Sequence, residues 1–468
     1  MLVNFSVTNF LSFNKKATFK MESGRVTKKL EHILEDSDTG KSLLKFSAMY
    51  GKNGAGKTNF IRAVATLRNF VLAARLPQRA ADLWCKIDEE NISKPTDFEI
   101  TFIADKELYE YRISLVLATG IITKEELVHV VGNRHTKLFH KENAESPYVF
   151  HHSIKGQNKD IEVLSRTFAL SGSPFLFSIN NNTGGFFAAN PEAAVLQKTY
   201  LWFKDTLEVI FPDQPLQATS LLQYEICKDE LAQLLKDFDT GIEEIKLEPV
   251  SKEKVFETLD LRTQQKLNIE MALVSPLVHF AQIPEQLGLY KNNALKKTNY
   301  YSTVIRSRRN IFIITLEKDG AFHFYAIKFV HNLGGKKIEF SMESESDGTH
   351  RLFQLLEILI CKKEKVYIMD EINRSLHPKL TVQFVKKYFA NAKDRRIQLV
   401  TTTHETRIMS HDIVRRDEIW IADKNPDDST KLFSLEDEQV RIDKVLDQNY
   451  MDNVWGGVPV FEDSKEEN

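Results

Sequence analysis

Cysteine is scarce: Cys85, Cys227 and Cys361 are the only three in 468 residues. They are odd in number, widely spaced and lack a C-x-x-C pair, which argues against a disulfide framework and a zinc site and fits a reducing cytoplasm. Long apolar runs are missing too. No segment approaches the roughly 18 uninterrupted apolar residues of a membrane span, and the opening MLVNFSVTNFLSF has no basic stretch leading into an apolar one and a cleavage site. The sequence reads as soluble and unexported, with no membrane partner. Charge of one sign is also absent: 63 basic residues against 65 acidic ones leave −2, so any nucleic-acid contact has to come from a local patch. Neither a fixed-period repeat nor a low-complexity tract is visible. What remains, 42% hydrophobic, 10% aromatic and 27% charged, is the composition of an ordinary globular chain. Its length suits two or three domain-sized units, or one large α/β domain with an insertion.

The first 20 residues alternate apolar and polar side chains, as half-buried strands do. Residues 42 to 50, SLLKFSAMY, run apolar into a glycine-rich turn, and Asn59 to Ala74 then carries apolar residues at helical spacing. Asp97 to Leu117 reads as two strands joined by a polar turn at Asp105 to Glu107. The centre differs, with helical patterns over 194 to 211 and 219 to 237 and a Lys/Glu-rich stretch to about 270. A hairpin is expected at 310 to 316 and 321 to 330, a helix at 350 to 360, strands at 366 to 369 and 397 to 401, and a helix between them at 381 to 389. Two more strands are expected at 418 to 422 and 430 to 435. EDSKEEN at the end reads as a frayed acidic tail.

Residues 51 to 58, GKNGAGKT, fit G-x-x-x-x-G-K-[ST] with the required strand before and helix after. Gly51, Gly54 and Gly56 let backbone N–H groups curl round phosphates, Lys57 can reach β/γ oxygens and Thr58 can offer a hydroxyl to Mg²⁺. The competing reading is a glycine turn before a Lys-Thr helix start. VYIMDE, 366 to 371, ends a buried strand in Asp370 and Glu371; one carboxylate can hold a metal shell while the next polarises water. Alone, the pair reads equally well as helix-capping acids. IQLVTTTH repeats the layout and stops at His404, which could contact a γ-phosphate or be merely structural. ESDGTHR, 345 to 351, opens a helix whose Ser346 and Thr349 can cap and whose Gly348 lets a ligand approach, against the plainer reading of an N-cap without a ligand.

In that order, with SLHP at 375 to 378, these strings resemble the ABC/SMC-type ATPase head, in the branch of RloA-like ATPases related to OLD-type and PARIS anti-phage systems. NFLSF at 9 to 13, FDTGIEEI at 238 to 245, RRDEIW at 415 to 420 and GGVP at 456 to 459 extend the resemblance to both ends of the chain. It implies an α/β P-loop ATPase head split by a mainly helical insertion: residues 1–150 carry the loop, 151–309 the insertion, and 310–468 the other half of the head. It implies that Gly51, Lys52, Asn53, Gly54, Ala55, Gly56, Lys57, Thr58 and Asn59 hold ATP, with Thr58 and Asp370 on Mg²⁺, Glu371 as base and His404 as switch histidine. Ser346, Gly348 and Thr349 would face the γ-phosphate held by a partner head, so at least a homodimer is implied. The SDGT signature departs from the LSGGQ of transporters, and the Q-loop glutamine is left unassigned; Gln157 lies in a polar stretch of the wrong kind.

The long separation of Lys57 from Asp370 calls for the insertion, whose patterns suit compact helical hairpins rather than long SMC arms. A solvated helical face is the preferred reading of its Lys/Glu stretch, with Lys246, Lys252, Lys254, Lys296, Lys297, Arg306, Arg308 and Arg309 as the patches to test for DNA binding. His151 and His152 are adjacent, which on a strand would point them apart and argues against a two-histidine metal site. The segment after His404 carries no HNH-like array or Toprim-like carboxylate cluster. The reading is therefore a cytoplasmic ATPase that senses or scaffolds in anti-phage abortive infection and controls a separate effector such as a nuclease, with DNA or a phage product as trigger. The alternatives are a RecF-like or SMC-like repair ATPase acting directly on DNA and a nucleotide-locked scaffold that rarely hydrolyses. A transporter subunit is the weakest fit.

Overall fold

The computed structural model describes residues 1–155, 160–169, 172–181, 185–212, 224–275, 299–307, 310–317, 320–437 and 446–459. The chain divides into two compact units, Met1–Pro212 with Lys363–Asn373 and Ala392–Asn468, and Asp213–Lys362 with Arg374–Asn391.

The first unit holds a six-stranded sheet in the order Leu207–Ile210, Lys365–Met369, Ile397–Thr402, Phe46–Tyr50, Ile419–Lys424, Thr430–Ser434. The first five strands are parallel and the last is antiparallel. Every residue of Phe46–Tyr50 and Ile397–Thr402 is buried, the near-continuous apolar run that a parallel strand covered on both faces needs. Because these strands run the same way, their carboxyl ends open on one edge, where ligands of open parallel sheets bind.

A second sheet in this unit is antiparallel, in the order Val149–Phe150, Arg134–Lys141, Ile121–Val131, Glu107–Val116, Thr96–Ala104, Leu2–Thr8, Ala17–Lys20. The expected two-strand reading of 97 to 117 holds: Asp105 and Lys106 form the turn, both left-handed at φ 49° and 69°, as a tight hairpin of that twist requires. The helix Lys57–Ala73 is buried between the sheets. Its Phe60 ring lies 5.6 Å from Phe5 and 5.1 Å from Phe19, and Phe19 in turn meets Trp420 of the parallel sheet at 4.8 Å.

Two stretches fold differently from their patterns. SLLKFSAMY divides at Lys45 into Lys41–Leu44, paired with Ile33–Asp36, and the sheet strand Phe46–Tyr50. The helical pattern of 194 to 211 is helical only through Leu201; a π turn, Trp202–Thr206, leads into the strand Leu207–Ile210. The cause is tertiary. Trp202 stacks on Phe102 at 4.2 Å, and Arg68 Nε donates to the carbonyls of Phe203 and Leu207 at 3.0 and 2.7 Å, so the chain leaves the helix and pairs with Val366–Met369. The first unit therefore continues past residue 150, to Pro212, and takes in a strand from the stretch expected to be insertion.

RRDEIW has a structural task in the same unit. Arg415, fully buried, grips Asp417 with two hydrogen bonds of 2.9 and 2.7 Å and donates to Lys28 O at 2.7 Å, while Asp417 accepts from Gly24 N–H. Glu418 faces His32 Nδ1 at 3.0 Å. Burial pushes the Glu418 carboxyl up and His32 down to about 3, so burial disfavours the charged form of both partners as they pin residues 24–32.

The second unit is built on an antiparallel sheet: Phe322–Leu333 pairs with Ile242–Val250, Asn310–Glu317 and Lys336–Ser341, and Asn310–Glu317 with Asn299–Ser307. Helices Lys252–Thr258 and Leu261–Val274 bury Val255, Leu267 and Met271 against Phe312, Ile314 and Phe324. The helix Asp347–Ile360 sets its Phe353 ring 5.4 Å from Phe329 of the sheet. Of the candidate DNA patches, Lys246 is paired with Glu339 at 2.7 Å and Lys252 lies over the Phe256 ring, while Lys296, Lys297, Arg308 and Arg309 lie outside the described residues. Residues 219–223, Gln157 and the acidic tail lie outside them as well.

Candidate functional site

The loop Gly51–Gly56 leaves the buried strand Phe46–Tyr50 and enters the helix Lys57–Ala73. Gly51, Gly54 and Gly56 have φ of 148°, 78° and 109°, a region in which L side chains are strained. The three are not equivalent. A Cβ on Gly51 would come 2.3 Å from Ala422 O and one on Gly56 2.2 Å from Thr430 Oγ1, whereas one on Gly54 meets nothing within 4 Å. Gly51→Ala adds about 1–3 kcal/mol of backbone strain to an overlap with a strand carbonyl that cannot yield. It is expected to lower Tm by about 5 °C, and Gly54→Ala by clearly less, in thermal unfolding without nucleotide; equal shifts would contradict this.

Lys57 is 7% exposed and turns back on the loop, its Nζ donating to Gly51 O at 2.5 Å and to Lys52 O at 3.2 Å. Burial pulls the ammonium down to about 8, against the opposing pull of Asp370 and Glu371. Asn59 Nδ2 donates to Ser12 Oγ at 2.9 Å. Thr430 Oγ1 contacts Ser12 Oγ at 2.8 Å and donates to Ala55 O at 2.7 Å, and Thr430 N donates to Ser12 O. Tyr450 accepts from the Gly51 N–H and donates to Gly457 O at 3.0 Å. NFLSF and GGVP thus brace the loop from outside it. Ser12 and Gly457 lie in strings that the sequence marks; Thr430 and Tyr450 carry no local signal.

Asp370 and Glu371 follow the strand Lys365–Met369. Asp370 is 3% exposed, and Glu371 turns left-handed at φ 51°, which aims successive carboxylates in different directions. One hydroxyl ties both: Thr402 Oγ1 lies 2.6 Å from Asp370 Oδ1, to which it donates, and accepts the Glu371 N–H at 2.8 Å. Asn373 Oδ1 takes the Thr403 hydroxyl at 3.1 Å and the His404 N–H at 3.4 Å, joining the ends of neighbouring strands. His404 is exposed at this edge; desolvation of the ring and the Lys57 charge lower its pKa, Glu371 and Asp370 opposing, so the imidazole is neutral at pH 7. The first unit therefore brings Lys57, Asp370, Glu371 and His404 to one sheet edge. Thr58 and Asp370 offer hard oxygens, a hydroxyl and a buried carboxylate, and among the described residues no group of three or more His, Cys, Asp or Glu could hold a metal. That sparse donor set fits Mg²⁺, which keeps positions for phosphate oxygens and water.

Ser346, Gly348 and Thr349 belong to the second unit. Ser346 Oγ caps the helix Asp347–Ile360 by accepting from Thr349 N–H at 3.1 Å, and lies 3.0 Å from Thr349 Oγ1. A Cβ on Gly348 would stand 3.1 Å from Ser375 O, so glycine allows the SLHP turn to approach the cap. Ser346, Gly348 and Thr349 are all solvent-accessible. His151 and His152 stand outside this site. The chain turns from strand to helix between them and their rings lie 4.0 Å apart, rather than on opposite faces of a strand.

Comparison with known proteins adds three findings. No curated protein matches the chain. Among solved structures, it is similar to an SMC head bound to the C-terminal winged-helix domain of ScpA, at 13% identity and TM-score 0.41 over 92% of this chain and 97% of that one. It is also similar to the SMC head domain of Thermotoga maritima, at 10% identity and TM-score 0.35 over 92% and 98%, and to a Pyrococcus furiosus SMC head with an extended coiled coil bound to the C-terminal domain of ScpA, at 14% and 0.36 over 94% and 97%. A family model matches residues 46–148 and 223–410, which include GKNGAGKT, SDGT, VYIMDE and TTTH. With more than half its length matched, the chain belongs to the family described as "AAA domain, putative AbiEii toxin, Type IV TA system".

Proposed function

We propose that this AAA-type ATPase domain binds and hydrolyses ATP, that ATP joins two heads, and that this association controls a separately encoded effector, such as a nuclease, in bacterial anti-phage defence of the RloA-like, abortive-infection kind. The observation that carries the reading is the meeting of phosphate loop, buried carboxylate, second carboxylate and neutral histidine at one sheet edge. Gly51 to Asn59 hold the phosphates, Lys57 neutralises the outer ones, Glu371 takes the proton of the attacking water, and His404 donates a hydrogen bond to the γ-phosphate. Thr58 and Asp370 hold Mg²⁺, which when bound offsets the charge of the phosphate oxygens. Ser346, Gly348 and Thr349, a solvent-accessible helix start, present a hydroxyl-rich cap to the γ-phosphate on a second copy. The protein acts in the cytoplasm, and a phage product or DNA is the trigger.

Thr402 should matter without touching nucleotide, because its hydroxyl holds the Asp370 carboxylate and the Glu371 backbone N–H. Thr402→Val is expected to lower turnover by about ten- to a hundredfold with ATP affinity measured without Mg²⁺ unchanged, and Thr402→Ser to restore it. Wild-type turnover in the valine variant would remove Thr402 from the site. The wider reading is tested by purifying Glu371→Gln from its own host with ATP and Mg²⁺ and weighing intact whatever accompanies it. A second protein in fixed ratio supports effector control; a lone dimer carrying DNA, with turnover that rises on DNA and binding that falls steeply with salt, points to repair instead.

A further inference from the structure

We infer that the cleft beside the loop helix is a nucleoside pocket with the Trp84 indole as its stacking surface. The inference rests on the ATP reading above and adds where the base and sugar go. The cleft has a volume of about 440 Å³, within the range of small-ligand sites. It meets the phosphate site at the start of the helix the loop enters, through Asn59, the neighbour of Thr58. That contact fixes its sense. Loop amides take the α- and β-phosphates while the lysine reaches β and γ, so the sugar leaves on the side away from the Lys57 ammonium and the carboxylates it faces. None of Lys57, Asp370, Glu371 or His404 lines the cleft.

Its walls suit a flat ring with polar edges. Leu11 and Ile87 supply apolar surface beside half-buried Trp84, and Lys86 Nζ is held 5.9 Å from the indole centroid. Asp82 at the rim can accept from an amino or sugar hydroxyl group. The Trp84 wall is rigidly tied to the turn at 9–14. Leu11 N donates to Leu83 O at 2.7 Å, and Asn9, 3% exposed, accepts from Cys85 N at 3.0 Å and donates to Asn91 O at 2.8 Å. Asn91 donates to Cys85 O at 3.0 Å and to Asn14 Oδ1 at 2.9 Å. Asn9 and Leu11 both adopt φ 51°, a left-handed conformation that non-glycine residues adopt at a cost and that here folds the wall into place. An aromatic face set into a preformed turn next to a phosphate loop is the arrangement that base stacking uses.

The test is calorimetric titration of the whole chain with ATP and, separately, with inorganic tripolyphosphate. Trp84→Ala is expected to weaken ATP by about tenfold and to leave tripolyphosphate affinity unchanged, which also shows that the variant is folded with its loop intact. Trp84→Phe keeps an aromatic face and should stay within about threefold of wild type. Unchanged ATP affinity in Trp84→Ala, or an equal loss for both ligands, overturns the pocket while leaving ATP binding in place. A wild-type chain that binds neither ligand overturns the ATP reading and the pocket with it.

Discussion

Lys57→Ala loses ATP binding, with Kd raised by at least about a hundredfold, because a buried ammonium making charge-assisted hydrogen bonds of roughly 1.5–3 kcal/mol each has no substitute in the loop. The fold should survive the change. Alanine leaves the carbonyls of Gly51 and Lys52 without the lysine's hydrogen bonds, which is unfavourable, but it also removes a cation whose charged form burial disfavours; the two effects oppose, so Tm without nucleotide moves little. The pH dependence separates this role from a structural one. With the free ammonium near 8 and phosphate favouring its charged form, the pKa rises on binding. Between the two values binding takes up a proton, so wild-type affinity falls as pH climbs above 8. Calorimetry at pH 7 and pH 9 in buffers of different ionisation enthalpy reads both quantities. ATP affinity equal in wild type and Lys57→Ala would remove the lysine from the site, and pH-independent affinity would remove the coupling.

The loop and the carboxylates were legible because their chemistry is local. Three left-handed glycines between a buried strand and a helix, or two acids at a strand end, declare themselves within eight residues. The braces were not, since each joins residues far apart in sequence: Thr430 to Ala55 and Tyr450 to Gly51 across hundreds of residues, Thr402 to Asp370 across 32. Leu207–Ile210 shows the same limit for the fold. Its four residues continue a helical pattern, and only Arg68, Trp202 and an open sheet edge beside Val366 turn them into a strand. Tertiary pairing overrode local propensity there. The accessory strings NFLSF, RRDEIW and GGVP were visible as strings, yet their tasks, bracing the loop and pinning residues 24–32, follow from hydrogen bonds that no spacing encodes.

Glu371→Gln should bind ATP and stall. The substitution keeps the shape of the side chain and the backbone that places it, the φ of 51° and the N–H bonded to Thr402, so the site is undisturbed apart from the loss of a base. Removing a general base of this kind slows turnover by about two to four orders of magnitude. Affinity should hold or improve, because Lys57, Thr58 and Asp370 remain and one negative charge near the triphosphate is gone. His404 is a poor substitute for the base, since desolvation of its ring and the Lys57 charge both disfavour its protonation. If two heads close on ATP, stalled hydrolysis traps the closed form. Light scattering should then give twice the 54.0 kDa of one chain with ATP and Mg²⁺, and a lighter species without them. Ser346→Arg, which puts bulk at the cap that would meet the partner's γ-phosphate, should return the stalled variant to the lighter species while a single head still binds ATP. A stalled enzyme that never doubles in mass would separate the chemistry from the association and leave Glu371 as a base acting within one head. Normal turnover in Glu371→Gln would remove the base itself and shift the search to water held by Asn373 and Thr403 at the neighbouring strand end.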